Sequence, residues 1–157
     1  MLKSPENLGI IHFIGIGGIG MSGIAEILWQ SGYYVQGSDL NKSNNTNRLE
    51  KLGIKVYIGQ KKSNVVNAKI IVVSTAISEK NEEFIAAKKM FLPIVHRSEM
   101  LGELMRLKQS IAIAGTHGKT TTTSLIAKMI EENGMDPTII NGGIISSLDS
   151  NARLGKG

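Results

Sequence analysis

The sequence Gly9-Ile10-Ile11-His12-Phe13-Ile14-Gly15-Ile16-Gly17-Gly18-Ile19-Gly20 decides the fold of the first part of this chain. Its apolar first half predicts a buried strand, and apolar residues recur at helical spacing over positions 21–28. Between these segments, Gly15, Gly17 and Gly20 satisfy the G-x-G-x-x-G pattern. Its glycines allow a tight turn, backbone approach to a diphosphate, and close packing of a helix on a strand. The stretch therefore predicts a strand, a ligand-binding turn and a helix.

The residues after this helix indicate a nucleotide-binding sheet. A second strand is predicted at 34–38, and Asp39 follows Gly20 at about the distance where an acidic residue meets the nucleoside in dinucleotide-binding folds. A structural turn without a ligand and an ordinary loop acid are the alternatives. Further strands are predicted at 55–58, 70–73 and 92–95. Because helices alternate with these strands, residues 1–106 are predicted to form an α/β domain with a Rossmann-like, doubly wound parallel sheet.

Small polar and basic residues follow two of the later strands. Ser74 and Thr75 come directly after the fourth predicted strand, and His96 and Arg97 follow the fifth. Ligands of open α/β sheets bind outside the carboxyl ends of the strands, so we expect these side chains near the glycine loop. Arg97 has the geometry to pair with a diphosphate in bidentate fashion. Ordinary turn chemistry for the two hydroxyl residues and a surface position for the arginine are the alternatives.

A second glycine-rich stretch, Ile111-Ala112-Ile113-Ala114-Gly115-Thr116-His117-Gly118-Lys119-Thr120-Thr121-Thr122-Thr123, predicts a strand, a phosphate-binding loop and a helix. Its glycines let backbone N–H groups approach an oxyanion, and the helix N-terminus points further N–H groups at the same place. Lys119 supplies a mobile positive charge, and the Thr120 hydroxyl is placed for Mg²⁺. These two are the candidate catalytic residues. The candidate triphosphate-binding residues are Gly115, Thr116, His117, Gly118, Lys119, Thr120 and Thr121.

This loop departs from the full P-loop pattern, which requires a glycine where the chain has Ile113. An ordinary glycine turn is the alternative, and solvent exposure explains His117 as well as ligand contact does. With a strand predicted at 138–140 and loops at 141–143 and 151–155, residues 107–157 are expected to begin a second α/β domain with a P-loop strand, a helix and a strand. A lone unit of this kind leaves apolar faces exposed, so we expect a truncated piece of a larger protein.

Composition excludes several classes of protein. With 157 residues, 41% of them hydrophobic, the chain is expected to fold, and without cysteine it has no disulfide framework or thiolate metal site. No apolar run reaches membrane-spanning length, so we expect a cytoplasmic protein with no membrane partner. The net charge of +5 arises mainly in residues 61–110, where bases alternate with acids, and only 4% of residues are aromatic. This pattern favours small anionic ligands over nucleic acid.

Six stretches, in this order, resemble the Mur ligase family and together span nearly the whole chain. They are residues 12–25, 37–39, 73–77, 96–101, 114–123 and 151–153. The shortened phosphate loop is the form that this family has. The resemblance implies that the first domain binds the uridine diphosphate of a UDP-sugar and that the second loop binds ATP, with Mg²⁺ on Thr120. The positions implied for the UDP-sugar are Gly15, Ile16, Gly17, Gly18, Ile19, Gly20, Asp39, Ser74, Thr75, His96, Arg97 and Arg153.

The activity that the resemblance implies is ATP-dependent amide formation between UDP-N-acetylmuramate and L-alanine in peptidoglycan precursor synthesis. The muramyl carboxylate takes the γ-phosphoryl group, the amine of L-alanine attacks the acyl phosphate, and phosphate leaves. Family members continue into the rest of the central domain and a C-terminal domain, which supply an acidic magnesium ligand and close over ATP. This chain alone is therefore expected to bind the UDP-sugar without ligating it.

Three alternatives to this activity stay open from the sequence. An NAD(P)-binding Rossmann oxidoreductase fits the first glycine loop but leaves the second unexplained. A non-ligase P-loop regulatory protein fits the second loop, although Ile113 weakens it. A related ligase that attaches a peptide to the same sugar nucleotide is the third.

Overall fold

The computed structural model describes residues 4–145 and 150–157, in which strands and helices alternate along the chain. The strands are β1 (Ile10–Ile14), β2 (Val35–Asp39), β3 (Lys55–Ile58), β4 (Ala68–Val73), β5 (Ile94–His96), β6 (Ile139–Ile145) and β7 (Ser150–Arg153). The α-helices are α1 (Pro5–Leu8), α2 (Ile19–Gln30), α3 (Asn44–Lys51), α4 (Glu82–Lys89), α5 (Arg97–Met105) and α6 (Lys119–Glu132). A short 3-10 helix, Lys62–Val65, precedes β4.

The first five strands form one parallel sheet in the order β3-β2-β1-β4-β5. The chain runs from β1 to one edge of the sheet and then returns to the other side of β1. The strand order therefore reverses between β1 and β4, where open α/β sheets bind ligands beyond the carboxyl ends of their strands. The predicted Rossmann-like, doubly wound sheet is confirmed.

Helices cover both faces of this sheet. Successive residues of a strand point to opposite faces, so Phe13 of β1 packs with α2 and α5, including Leu28 and Met100. Ile14 points the other way and packs in a cluster with Ala87 of α4. All five residues are almost completely buried, as expected for a parallel sheet enclosed between two helical layers.

A buried polar network lies behind the carboxyl end of β2. His12 Nε2 lies 3.3 Å from the Glu83 carboxylate, and His12 Nδ1 lies 3.1 Å from Nε2 of Gln36. Glu83 also accepts hydrogen bonds from the Ser38 hydroxyl at 2.5 Å and from the Asn64 side-chain amide at 2.6 Å. Because its members are partnered, the network fixes the N-terminus of α4 against β1 and β2, and His12 is a core residue.

Residues 107–157 differ from the prediction in two ways. The predicted P-loop strand at 111–114 is not a strand in the structure, and Ile111 is 66% exposed. β6 and β7 instead form an antiparallel pair that includes residues 141–143 and 151–153, both predicted as loops. Their asparagines and glycines favour turns, but cross-strand pairing and packing on α2 outweigh that preference. Residues 111–114 pair with no described strand, and an apolar run without a hydrogen-bonding neighbour does not form a strand.

The β6–β7 pair packs on the outer side of α2. Residues 21–28 of this helix are all buried, so α2 is enclosed between the parallel sheet and the β6–β7 pair. A Cβ atom on Gly23 would lie 2.5 Å from the Asn151 side-chain amide, which shows how closely β7 approaches. The division into domains 1–106 and 107–157 remains a prediction. Among the residues described, none of the helices has both the length and the apolar character needed to cross a membrane.

Candidate nucleotide-binding sites

An open cleft of about 680 Å³ lies at the carboxyl ends of β1, β2 and β4, beside the point where the strand order reverses. The structure brings five of the predicted residues to this cleft. They are Gly15, Gly17, Gly18, Asp39 and Ser74. The cleft volume is within the range of about 300–1,000 Å³ that is typical of small-molecule sites.

The glycine loop is held at the end of β1 by the neighbouring strand. The amides of Gly15 and Ile16 both donate to the main-chain oxygen of Ser38, at 2.8 and 2.9 Å. Gly15 has φ +80°, a left-handed conformation that favours glycine, and its carbonyl accepts from the amide of Gly18 at 3.2 Å. The loop therefore turns sharply away from the sheet and leads directly into α2.

Asp39, the predicted nucleoside-binding acid, is bonded to the glycine loop itself. Its two carboxylate oxygens accept from the amides of Gly17 and Leu40, each at 2.8 Å. A Cβ atom on Gly17 would lie 2.8 Å from Asp39 Oδ2 and 2.9 Å from a methyl group of Thr46, so this position requires glycine. The acid thus braces the loop and still lines the cleft.

Two amides at the start of α2 are free to bind an anion. Within the described part of the chain, the amides of Ile19 and Gly20 have no hydrogen-bond partner. The Arg97 guanidinium lies over this turn, where any side chain at Gly20 would collide with it. No described carboxylate forms an ion pair with Arg97. The helix N-terminus and this arginine together give the turn a positive potential. Ile19, Gly20 and Arg97 do not themselves line the cleft, but they directly follow or cover the glycine loop that does.

His96 caps α5 and keeps one ring nitrogen unused. Its Nδ1 accepts from the amide of Ser98 at 3.3 Å, while its own amide donates to Glu99 at 3.2 Å. Nδ1 also lies 2.7 Å from the hydroxyl of Ser98, whereas Nε2 is buried and has no partner among the described residues. Since His96 pairs with Val73 at the end of β4, this nitrogen lies next to the segment that holds Ser74. Thr75 is exposed and does not line the cleft.

Arg153 is not brought to the cleft. Its guanidinium pairs with Glu131 at 2.7 Å and with Asp136 at 2.8 Å. These ion pairs tie β7 to the end of α6 and the turn after it. The predicted contact of Arg153 with the UDP-sugar stays a prediction without support from its position.

The second glycine loop presents a row of unpartnered amides. Gly118, with φ +76°, begins α6 in a left-handed conformation, and the amides of residues 115–121 make no hydrogen bond within the described chain. Nζ of Lys119 lies over the loop, 2.5 Å from the carbonyl oxygen of Gly115 and 3.1 Å from that of Thr116. His117 is exposed. Backbone donors and one ammonium group that converge on a concave loop are suited to a polyphosphate.

Thr120 is the residue that the sequence assigns to Mg²⁺. Its side chain lies against Gly143 of β6, and it opens the first turn of α6 directly after Lys119. The described residues contain no group of three or more histidines and carboxylates that could hold a metal ion. One threonine hydroxyl nevertheless fits Mg²⁺, because this ion commonly takes most of its ligands from phosphates and water.

Sequence reasoning missed several residues that line the first cleft. Lys42, Ser43 and Lys80 lie along its wall, and the side-chain amide of Asn45 donates to the main-chain oxygen of Gly17 at 2.7 Å. The signal was present as a polar, asparagine-rich segment after β2. Ser43 and Thr46 form a capping box at the start of α3, which places this helix beside the loop.

The sequence of the chain matches a known protein family. The family model described as Mur ligase family, catalytic domain, matches residues 10–109. This chain belongs to the Mur ligase family. It is 60% identical over its full length to the UDP-N-acetylmuramate--L-alanine ligase of Parvibaculum lavamentivorans, of which it covers 32%. It is 56% identical over 99% of its length to the ligase of the same name from Brucella anthropi, of which it covers 33%.

Solved structures of Mur ligases share the fold of the chain. The UDP-N-acetylmuramate-alanine ligase of Thermotoga maritima matches 95% of the chain with a TM-score of 0.88 and 32% identity, and the match covers 35% of that enzyme. A UDP-N-acetylmuramate:L-alanyl-gamma-D-glutamyl-meso-diaminopimelate ligase from Neisseria meningitides matches 94% with a TM-score of 0.86 and 32% identity. The chain thus spans about a third of the length of the curated Mur ligases that it matches.

Proposed function

We propose that this chain provides the UDP-sugar site and the ATP loop of a ligase that joins L-alanine to UDP-N-acetylmuramate. The observation that carries this proposal is the presence of two phosphate cradles in one chain. Each is a glycine loop at a helix N-terminus with unpartnered amides, and the relatives with 56–60% identity are named for this reaction. A nicotinamide oxidoreductase would use the first loop and leave the second without a role.

The first cleft fits a sugar nucleotide. The amides of Ile19 and Gly20 and the guanidinium of Arg97 would hold the diphosphate, with Lys42 and Lys80 adding positive charge along the wall. Other polar groups would then contact the nucleoside and the sugar from around the rim. Those residues are Asp39, Ser43, Ser74, Thr75 and His96.

The second loop fits the triphosphate of ATP. Its free amides and Lys119 would bind the β- and γ-phosphates once the lysine side chain leaves the carbonyls of Gly115 and Thr116. The hydroxyl of Thr120 would ligate Mg²⁺, which neutralises charge that develops on the phosphates. Phosphoryl transfer needs little covalent chemistry from the protein, so positioning and charge account for the role of this loop.

The proposed reaction is balanced over two steps. A carboxylate oxygen of the muramyl group attacks the γ-phosphorus, the bond to ADP breaks, and an acyl phosphate forms. The amine of L-alanine then attacks the acyl carbon, the C–O bond to phosphate breaks, and the amine loses a proton as the amide forms. The use of ATP and a UDP-sugar as substrates is consistent with a cytoplasmic location. The absence of cysteine from the chain agrees with this location.

A ligase that attaches a peptide to the same sugar nucleotide is the second candidate. The structure of such an enzyme from Neisseria meningitides matches almost as well as that of the alanine ligase from Thermotoga maritima, with the same 32% identity. The 60% identity to a curated alanine ligase favours the alanine reaction.

Calorimetric titration of the 157-residue chain tests the first part of the proposal. We expect UDP-N-acetylmuramate to bind and UDP to compete with it, while NAD produces no saturable heat. The variant Arg97→Ala should weaken UDP binding by about 10- to 150-fold, because a charge-assisted contact contributes about 1.5–3 kcal/mol. The variant Arg106→Ala, which removes an exposed arginine at the far end of α5, is the matched control. Saturable binding of NAD with no binding of UDP would overturn the proposal.

A further inference from the structure

The side-chain amide of Asn151 in β7 is only 1% exposed and contacts four polar groups. Its Nδ2 donates to the main-chain oxygen of Ile19 at 2.5 Å and to that of Asn141 at 3.5 Å. Its Oδ1 accepts from the guanidinium of Arg48 at 3.2 Å and lies 3.4 Å from the hydroxyl of Ser22, whose hydrogen it shares with the main-chain oxygen of Ile19. A buried amide with several partners fixes its neighbours in one arrangement.

The contact with Ile19 reaches the first glycine loop. A peptide unit is planar, so the carbonyl of Ile19 and the amide of Gly20 turn as one body. The amide of Gly20 is one of the two unpartnered donors at the start of α2. The carbonyl of Ile19 also accepts from the hydroxyl of Ser22 at 3.2 Å, so Asn151 and Ser22 together set the direction in which the N–H group of Gly20 points.

The contact with Asn141 reaches the second glycine loop in the same manner. Asn141 is 4% exposed, and its Nδ2 donates to the main-chain oxygen of Thr120 at 3.1 Å and lies 3.1 Å from the hydroxyl of Ser124. The carbonyl of Thr120 shares a rigid peptide unit with the amide of Thr121, which is the last unpartnered donor of the P-loop. The hydroxyl of Ser124 also donates to this carbonyl, at 2.9 Å, so Asn141 and Ser124 together set the direction of this second N–H group.

We propose that Asn151 and Asn141 are positioning residues that couple the two phosphate loops. The path runs from the peptide of Ile19 and Gly20, through the two asparagines, to the peptide of Thr120 and Thr121. An anion that turns the N–H group of Gly20 also pulls on the carbonyl of Ile19 and so on Asn151. The inference rests on the proposed function, because it gives both amides an anion to bind.

Two-dimensional ¹H–¹⁵N NMR of the 157-residue chain titrated with UDP tests this coupling. UDP is the probe because it lacks the muramyl carboxylate, which would itself approach the P-loop. In the unmodified chain we expect the amide signals of Gly20 and Thr121 to shift along the same saturation curve. In Asn151→Ala, the signal of Gly20 should still shift and the shift of Thr121 should be lost.

Two further variants make the test specific. Asn141→Ala leaves the contact between Asn151 and Ile19 in place but breaks the path at Thr120, so it should also abolish the shift of Thr121. It carries the test if Asn151→Ala does not fold. Ala152→Gly changes a buried neighbour on β7 that has no polar side chain, and it should keep both shifts.

The possible results separate the coupling from the function on which it rests. A shift of Gly20 without one of Thr121 in the unmodified chain would overturn the coupling and leave the UDP site intact. Persistence of the Thr121 shift in Asn141→Ala would likewise overturn it. Absence of a shift at both loops at saturating UDP would overturn the proposed UDP-sugar site, and the coupling with it.

Discussion

Gly17 and Gly18 are adjacent residues of the glycine loop that differ in the space around them. A Cβ atom on Gly17 would lie 2.8 Å from the carboxylate of Asp39, whereas one on Gly18 would come no closer than 3.4 Å to its nearest neighbour, the carbonyl oxygen of Gly15. Gly18 also has φ −59°, which alanine adopts without strain. Alanine at position 17 should therefore displace the loop, whereas alanine at position 18 should fit without moving it.

We predict that Gly17→Ala weakens UDP binding at least about 10-fold, because a displaced loop loses a charge-assisted contact of about 1.5–3 kcal/mol. Gly18→Ala should bind UDP nearly as the unmodified chain does. Calorimetric titration of both variants measures the difference, and circular dichroism confirms that each is folded. Equal binding by the two variants would show that the loop does not hold the diphosphate in the way proposed.

At the scale of single elements, α2, α3 and β7 meet at one buried ionic cluster. The carboxylate of Glu26 lies 2.6 Å from the guanidinium of Arg48 and accepts from the hydroxyl of Ser150 at 3.3 Å. Burial raises the pKa of Glu26 above its ordinary value of 4.5, and Arg48 and Ser150 oppose that rise only in part. The folded chain therefore retains this proton to a higher pH than the unfolded chain.

This shift predicts a pH-dependent difference between the unmodified chain and Glu26→Gln. The contribution of Glu26 to the free energy of unfolding is complete below about pH 4.5 and is lost as the pH rises through the raised pKa. Glutamine does not titrate, so relative to the unmodified chain the variant should gain stability between pH 4.5 and neutral pH. Urea unfolding across this range measures the gap. A gap between Glu26→Gln and the unmodified chain that stays constant with pH would contradict the shift.

Elements that depend on local pattern were predictable from the sequence. The glycine loop after β1, the acid at Asp39 and the five parallel strands follow from periodicity and glycine spacing, and all are present. The second unit was less predictable because local pattern does not show which segments pair. The run at 111–114 has the apolar character of a strand, but no described strand pairs with it. The glycines of β6 favoured a loop, yet β7 pairs with this segment.

The residues of the candidate sites also divide into those that the sequence could predict and those that it could not. Gly15, Gly17 and Asp39 were predicted because a known spacing carries their chemistry, and they line the first cleft. Asn45 and Asn151 could not be assigned individually, since an asparagine in a polar stretch indicates a turn unless its distant partners are known. The small residues of α2 were the missed signal for β7, because a helix with Gly23 on its outer face allows close approach of another backbone.

For the whole molecule, the relation between the two parts of the chain depends on α2. This helix is buried on every side over residues 21–28, which is the behaviour of a core helix and not of a surface helix in an outer layer. Ala152 of β7 is 2% exposed and belongs to the same apolar cluster as Phe13, with Ile140 packed against it. The β6–β7 pair therefore completes the apolar core that the first 106 residues begin.

We accordingly predict that residues 1–106 fold alone but are less stable than the complete chain. The parallel sheet and its two helical layers lie within this segment, so its circular dichroism should retain the α/β signal. Loss of the β6–β7 pair exposes the outer face of α2, which should lower the free energy of unfolding by about 2 kcal/mol or more, the contribution of one large buried apolar side chain. Urea unfolding of residues 1–106 and 1–157 measures this difference. An unfolded 1–106 segment would place the boundary elsewhere, and equal stabilities would show that the β6–β7 pair does not complete the core.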